Sequence, residues 1–182
     1  MQTKQKRVNY GCGADYREGW INVDIVEETK WRGVGRPPDL LVAADERVLP
    51  LEDNSIDYIL ADSVIEHVER QRVHGLLMEF HRVLKPGGEL EIWAPHFKGI
   101  MVKFVEHVRG YGINSFWFYE RFFIIHQKLL LASRSHCSGK RWMRGFNILN
   151  PLFNLSNTWQ QICEKFVPGG FEEIHYVMAK KP

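Results

Sequence analysis

Short apolar segments alternate with a long amphipathic one through the first half of the chain. The strand-like segments, most of them rich in Val, Ile and Leu, are residues 7–10, 21–25, 39–43, 56–61 and 89–94. Residues 63–84 instead follow helical spacing, and one helix face can collect Val64, Val68, Leu76, Leu77, Phe80 and Leu84. The sequence KPGG at 85–88 then ends that helix. Alternation of this kind predicts an α/β fold with a mainly parallel sheet.

The pattern changes after Pro95. Aromatic stretches at 100–109 and 115–132 favour helices, and we interpret residues from about 98 to 140 as a helical cap. Three more elements are predicted to close the chain, namely a strand at 141–149, a helix at 157–166 capped by Asn157, and a strand at 173–179. No repeat or linker divides the 182 residues, so we predict one domain, with parts at 1–97, 98–140 and 141–182.

Charge and aromatic residues are unevenly distributed. Residues 1–97 hold 12 basic and 17 acidic side chains, whereas residues 98–182 hold 12 basic and 5 acidic ones and 15 of the 23 aromatic residues. An acidic first part and a basic, aromatic second part indicate two tasks within one domain. The basic side chains of the second part are spread along the chain, which is typical of a solvated surface, although a polyanion or a lipid surface is an alternative partner.

Cysteine number and hydropathy bear on the cellular location. The three cysteines, Cys12, Cys137 and Cys163, have no CxxC or Cys/His ligand spacing, so neither a disulfide framework nor a metal site is predicted. The first ten residues are polar, and no stretch approaches 18 uncharged apolar residues. We therefore expect a cytoplasmic protein without a leader or a membrane span.

A glycine loop and an acidic residue follow the first two predicted strands. Gly11 and Gly13 come directly after residues 7–10, where glycine lets a backbone approach a ligand, although a tight turn alone would also explain them. Asp24 ends the second strand, where nucleotide-binding folds place a carboxylate that accepts from ribose hydroxyls.

The distance between these two features is unusually short. Asp24 lies 11 residues past Gly13, against about 20 in dinucleotide-binding proteins, and residues 14–20 are too few for the usual crossover helix. Either the first helix has shrunk to a loop, or the interpretation as a nucleotide site fails.

Five motifs in a fixed order carry a family resemblance. They are GCG at 11–13, GWINVD at 19–24, LPLEDNSIDY at 49–58, VIEHV at 64–68 and LKPGGEL at 84–90. In this order, with Asp45 after the third strand, the sequence resembles the class I S-adenosylmethionine-dependent methyltransferases, and GWINVD is similar to a small branch with a short first crossover. Two departures are Asp15, where the family has a third glycine, and the missing first helix.

The resemblance implies a fold and a cofactor site. The fold is a Rossmann-like, seven-stranded, mostly parallel sheet with an antiparallel last strand, and the cofactor is S-adenosyl-L-methionine. Gly11, Cys12 and Gly13 would border its methionine part and Asp24 its ribose. Ile25 would pack on the adenine, Asp45 would accept from the adenine amino group, and Asp62 would lie near the methionine amine.

Two histidines are candidate general bases. His96 follows the fifth predicted strand, at the edge where substrates approach open α/β sheets, and an ordering role in the cap is an equal alternative. His67 is a weaker candidate, and Glu66 beside it is expected to be structural or solvated. His126, in an apolar stretch, is expected to be packed.

The predicted function is methyl transfer from S-adenosylmethionine to an oxygen or nitrogen of a small or sugar-linked metabolite. Residues 61–64 read ADSV rather than the Asn-Pro-Pro-aromatic motif associated with methylation of adenine or glutamine nitrogen, which makes those acceptors less suitable. Two alternatives stay open: a non-catalytic module of the same fold that holds an anionic partner through the basic cap, and a nicotinamide-dependent oxidoreductase. The short crossover disfavours the oxidoreductase, because it offers no helix N-terminus for a pyrophosphate.

Overall fold

The computed structural model describes residues 5–25, 36–43, 48–97, 110–131, 146–167 and 171–182. The strands are β1 Arg7–Tyr10, β2 Ile21–Asp24, β3 Leu40–Leu41, β4 Ile56–Asp62, β5 Leu84–Pro95, β6 Phe123–Leu130 and β7 Glu173–Lys180. The α-helices are α1 Arg70–Val83, α2 Asn150–Phe153 and α3 Asn157–Phe166, and 3₁₀ helices occupy Ile65–His67 and Trp117–Arg121.

The seven strands of the described residues form one sheet in the order β3-β2-β1-β4-β5-β7-β6. The pairs β2–β3, β1–β2, β1–β4 and β4–β5 are parallel, whereas β7 runs antiparallel to both β5 and β6. This sheet confirms the predicted α/β class, strand number and antiparallel last strand. Because β1, β2 and β4 are adjacent and parallel, the residues that follow them meet at one edge.

The main core lies between one face of the sheet and α1. The helix buries Val73, Leu76, Leu77, Phe80 and Val83, and its centre matches the predicted helical spacing. The predicted helix at 63–84 is shorter in the structure, because Val64 and Val68 precede α1 and Leu84 begins β5. The ring of Phe80 packs edge-on against Tyr10 of β1, with centroids 4.9 Å apart. The helix ends at Val83 because Leu84 is already extended, in keeping with Pro86 two residues later. The predicted turn at 85–88 is part of β5 rather than a separate loop.

The predicted helix at 115–132 is wrong. Residues 117–121 form a 3₁₀ helix, and Phe123–Leu130 is a sheet strand that pairs with β7 along its full length. Along this strand, burial alternates with a period near two, with Phe123 buried, Ile124 and His126 exposed, and Leu129 buried. The aromatic and β-branched composition therefore serves a strand. The rest of the predicted cap, at 98–109 and 132–140, lies outside the described residues.

The C-terminal predictions are partly confirmed. Helix α3 has the predicted bounds, but its N-cap is Ser156 rather than Asn157, since the Ser156 hydroxyl accepts from the amide of Trp159 at 3.1 Å. Residues 146–149 form a 3₁₀ turn and not the predicted strand, of which 141–145 lie outside the described residues. The final strand is confirmed as β7. Among the described residues, no helix has the length and hydropathy needed to cross a membrane.

Candidate cofactor and acceptor site

The carboxyl ends of β1, β2 and β4 bring most of the predicted site residues together. The glycine loop leaves β1 and folds toward β2, since Val23 O accepts from the amides of Gly11 and Cys12 at 2.8 and 3.0 Å. Asp24 is the last residue of β2 and Asp62 the last of β4. The sheet order therefore collects these parts of the predicted site at one edge, while Asp45 lies outside the described residues.

The Asp24 carboxylate is held by two backbone amides. Gly13 N–H donates to its Oδ2 and Ile25 N–H to its Oδ1, both at 2.7 Å. These bonds fix the orientation of the carboxylate, and a carboxylate is an acceptor suited to hydroxyl donors. Ile25 beside it is 39% exposed, which leaves an apolar surface free to receive a flat ring. This arrangement fits the ribose and adenine of the predicted cofactor.

The glycine loop has no room for larger side chains at its first position. Gly11 has a φ of +69°, and a Cβ built there would lie 2.4 Å from Cγ2 of Val64. Gly13 also has a positive φ, of +48°, but open space around it. Left-handed backbone favours glycine at both positions. At Gly11 the contact with Val64 also excludes any side chain, whereas at Gly13 only the backbone conformation requires glycine.

The middle residue of the loop is not a reactive thiol. Burial, together with the charge of Asp24 and a hydrogen bond to that carboxylate, raises the pKa of Cys12 to about 11. A thiol with this pKa stays protonated near neutral pH and is a poor nucleophile. The structure therefore gives Cys12 a packing role against Asp24, within the loop that the sequence predicts to border the cofactor.

The first crossover is a loop held by two buried asparagines that the sequence analysis missed. Asn9 Nδ2 donates to Asp15 O at 2.6 Å and to the side-chain oxygen of Asn22 at 3.2 Å. Asn22 accepts from Arg17 N–H at 2.8 Å and donates to Arg17 O and Trp20 O. These side-chain amides hydrogen-bond the backbone groups of the loop, which would bond one another if the crossover were a helix. The first of the two alternatives is therefore confirmed: the helix is replaced by a loop.

Replacing Asn22 with alanine is expected to lower the free energy of unfolding by about 2 kcal/mol, because it leaves backbone groups of Arg17 and Trp20 without their partner in a buried place. Chemical denaturation measures this loss. Asn157→Ala, at the exposed first residue of α3, is the control and should change stability by less than about 0.5 kcal/mol. Equal stability of the two variants would show that the loop does not depend on Asn22.

Glu66 lies in the 3₁₀ helix after β4 and is buried, so of its two expected roles, structural or solvated, the solvated one is wrong. Its side chain is 1% exposed, and Oε2 has no hydrogen-bond partner among the described residues. Burial, with the charges of Asp62 and Glu173 as further contributions, raises the pKa of Glu66 to about 8. The residue is therefore a buried carboxyl group and not a solvated one. The burial of Glu66 could not be read from the sequence, because the next residue, His67, is equally polar and is exposed.

His96 is buried and already bonded. Its side chain is fully inaccessible, and its Nε2 lies 3.0 Å from Oε1 of Glu164, which also accepts from Ile113 N–H at 2.7 Å. The backbone of His96 donates to Glu172 O at 3.0 Å. His96 thus ties the end of β5 to α3. His126, predicted to be packed, is exposed on β6 instead.

A separate open cavity of about 730 Å³ lies at the opposite end of the sheet. Arg7 and Arg17 stand over the ring of Trp20 there, 5.5 and 5.2 Å from its centroid. Arg7 begins β1, so this cavity adjoins the amino ends of the strands and is distinct from the predicted cofactor site. Within the described ranges, no group of three or more His, Cys, Asp or Glu side chains is arranged to hold a metal ion.

The chain shares sequence and fold with known proteins. A sequence family described as a methyltransferase domain matches residues 9–92. An uncharacterized 37.1 kDa protein in a transposon of Streptomyces fradiae is 33% identical over 81 residues, which are 44% of this chain and 23% of that protein. The match thus spans about a quarter of that relative.

Two solved structures are similar throughout this chain. One is an S-adenosylmethionine-dependent methyltransferase from Archaeoglobus fulgidus, with a TM-score of 0.63 and 18% identity over 97% of this chain and 86% of that one. The other is phosphoethanolamine N-methyltransferase 2 from Haemonchus contortus in complex with S-adenosyl-L-methionine, with a TM-score of 0.56 and 17% identity over 100% and 50% of the two chains. At these identities the likeness shows the fold.

The family match runs from within β1 to within β5, the segment that contains the glycine loop, Asp24 and Asp62, and the fold is similar to that of the structural neighbours. Both results agree with the resemblance drawn from the motifs. The family match covers 84 of the 182 residues, so a little under half of the chain matches a methyltransferase domain. Over 97% of its length the chain has the fold of an S-adenosylmethionine-dependent methyltransferase, and S-adenosyl-L-methionine is the cofactor of such enzymes.

Proposed function

We propose that the chain transfers the methyl group of S-adenosylmethionine to an oxygen or nitrogen of a small or sugar-linked metabolite. The observation that carries this proposal is the Asp24 carboxylate, oriented by the amides of Gly13 and Ile25 at the end of β2. The Haemonchus contortus neighbour, whose structure contains S-adenosyl-L-methionine, adds support. The cytoplasmic location and the single-domain organisation stay predictions.

Each site residue has a proposed task. Asp24 accepts from the ribose hydroxyls, Ile25 packs against the adenine, and Asp45 accepts from its amino group. The loop of Gly11, Cys12 and Gly13 borders the methionine part, and Asp62 faces its ammonium group. The cofactor supplies a methyl group on a positively charged sulfur, so the protein has mainly to align the acceptor with that methyl and to exclude water.

A base is needed only if the acceptor arrives with a proton on the attacking atom. The sequence candidates are His96 and His67, and both stay hypotheses. His67 is exposed in the 3₁₀ helix after β4, whereas His96 is buried against Glu164. Accessibility therefore favours His67 of the two.

Thermal denaturation with ligands tests the proposed cofactor. S-adenosylhomocysteine, the product, should raise the melting temperature by several degrees at concentrations well above its Kd, because a ligand of the native state stabilises it. NAD should have no effect, and stabilisation by NAD alone would overturn the proposal. Stabilisation by a polyanion only, lost in high salt, would identify a binding module. Incubation with methyl-labelled cofactor and fractionated metabolite pools then identifies the acceptor.

A further inference from the structure

The outer side of α2 and α3 is apolar and exposed. Leu155, between the two helices, is 71% exposed, and Phe166, at the end of α3, is 70% exposed. Six large exposed side chains form what we call the apolar stripe, namely Ile148, Leu152, Leu155, Trp159, Ile162 and Phe166. Single exposed apolar residues are ordinary on a protein surface, whereas a contiguous group of them marks an interaction surface.

The residues of the apolar stripe lie next to one another. Trp159, Ile162 and Phe166 are three and four positions apart on α3, so they share one side of that helix. Trp159 Nε1 also donates to Leu152 O at 2.8 Å, which joins α3 to α2. The helix packs on the protein through other positions, such as the buried Cys163. The apolar stripe is therefore not part of the core, and its exposure needs another explanation.

Helices α2 and α3 lie along β6, the last strand of the sheet order. The side chain of Asn154 accepts from Leu129 N–H at 2.8 Å and donates to Leu129 O at 3.0 Å. Gln160 donates to Gln127 O at 2.8 Å. These polar side chains are used within the molecule, where they pair the open edge of β6. The apolar stripe is left on the outer side of the two helices.

The sequence around the apolar stripe carries positive charge and no negative charge. Residues 146–163 contain no Asp, Glu, Lys or Arg, so this surface can enter an apolar medium without burying a charge. Over the longer range 121–163, the sequence has six Lys and Arg residues and no Asp or Glu. Two of the six are exposed beside α2 and α3, with Arg121 just before β6 and Lys128 on it. An uncharged apolar surface with basic neighbours is typical of contact with anionic lipid.

We infer that the apolar stripe docks the protein on the surface of an anionic lipid bilayer. Its aromatic and aliphatic side chains enter the boundary between headgroups and acyl chains, while the basic residues nearby attract the lipid phosphates. A bilayer asks for no specific hydrogen bonds, unlike a protein interface, which carries about one per 100–200 Å². This suits a surface whose residues Asn154 and Gln160 are already bonded within the chain. The inference is independent of the proposed methyl transfer.

The apolar stripe reaches the edge of the sheet at which the predicted cofactor site lies. Glu164, two residues before Phe166, bonds His96 at 3.0 Å, and His96 directly follows β5. Strand β5 is parallel to β4, so its end lies at the same edge as Asp62. Docking therefore places the bilayer beside the edge where acceptors approach open α/β sheets.

Flotation of the full chain with lipid vesicles tests this inference. One set of vesicles contains phosphatidylcholine and phosphatidylglycerol, and the other contains phosphatidylcholine alone. The protein should bind the mixed vesicles roughly tenfold or more tightly than the neutral ones, because basic residues near the bilayer are attracted to its negative charge. Raised salt should reduce this preference, since salt screens the attraction.

Two substitutions remove the contact, and a third is their matched control. Leu155→Gln and Phe166→Gln should each weaken vesicle binding by roughly tenfold, because each withdraws one large apolar side chain from the bilayer. Leu41→Gln changes a leucine that is 55% exposed on β3, at the opposite edge of the sheet, and should bind vesicles like the wild type. All three positions are exposed, so thermal denaturation should show folded variants with nearly unchanged stability.

The contrary results are distinct. A wild type that binds neither kind of vesicle, or binds both equally, overturns the inference. Leu155→Gln and Phe166→Gln variants that float like the wild type, or an equal loss in Leu41→Gln, overturn the role of the apolar stripe. A concentration-dependent dimer that Leu155→Gln dissociates, without vesicle binding by the wild type, identifies a second copy of the chain as the occupant instead. The methyltransferase proposal is decided separately, by the binding of S-adenosylhomocysteine.

Discussion

Replacing Asp24 with alanine is expected to weaken the binding of S-adenosylhomocysteine by about 100-fold or more. The carboxylate is the proposed acceptor for two ribose hydroxyls, and a hydrogen bond to a charged group contributes about 1.5–3 kcal/mol. Two such bonds correspond to a factor of at least about 100 in Kd. The substitution also removes the group that orients Gly13 and Ile25, at 2.7 Å each, so the loop loses its preformed shape. Calorimetric titration measures the change.

Two companion variants separate the charge of Asp24 from its shape. Asp24→Asn keeps one acceptor oxygen and should bind more tightly than Asp24→Ala but less tightly than the wild type. Asp15→Ala removes an exposed carboxylate from the same loop, one that pairs with Arg17 at 2.8 Å, and should leave the Kd within about twofold. Asp24→Ala with the wild-type Kd would show that the ribose lies elsewhere.

The order of the strands and the position of Asp24 were predictable because they depend on local pattern and on motif order. Four apolar segments with turn signals between them predict β1, β2, β4 and β5, and their sequence order sets which ends meet. The family resemblance then adds the number of strands and the antiparallel direction of the last one, which no periodicity in a single segment contains.

The hydrogen bond between Asn9 and Asn22, which holds the first crossover loop, was not predictable in the same way. The sequence shows only that residues 14–20 are too few for a helix. It does not show that Asn9 and Asn22, on adjacent strands and in register, would pair through their side chains. A sequence does not distinguish a buried asparagine from an exposed one, because burial and hydrogen bonding depend on which strands are neighbours in the sheet.

The misassigned strand β6 has a related cause. Residues 122–130 read FFIIHQKLL, and a run of apolar residues that short fits a strand or a buried helix equally well. What decides is the pairing with β7, which uses every residue from Phe123 to Leu130. Glu66 and His96 show the same limit for chemistry. Their residue types predict reactivity, but only the structure shows that both are buried, that His96 bonds Glu164, and that Oε2 of Glu66 has no hydrogen-bond partner among the described residues.

Replacing His96 with alanine is expected to destabilise the protein by about 3 kcal/mol, which lowers the melting temperature by roughly 10 °C for a chain of this size. The imidazole is fully buried, packs near Phe171 with ring centroids 5.7 Å apart, and bonds Glu164 at 3.0 Å. Its removal leaves a cavity and deprives a mostly buried carboxylate of a partner. Glu164→Ala should cost a similar amount, and the double variant should cost less than the sum, because the two residues share one interaction.

A glutamine at position 96 separates this structural role from the catalytic one that the sequence predicts. His96→Gln can still donate to Glu164 but cannot act as a base near neutral pH. If the buried histidine only joins β5 to α3, the glutamine variant should keep most of the stability and, per folded molecule, a turnover within a few-fold of the wild type. A stable glutamine variant whose turnover falls by about 100-fold or more, with unchanged cofactor affinity, would instead establish His96 as the base. Because His96→Ala loses both functions at once, only the pair of variants decides between them.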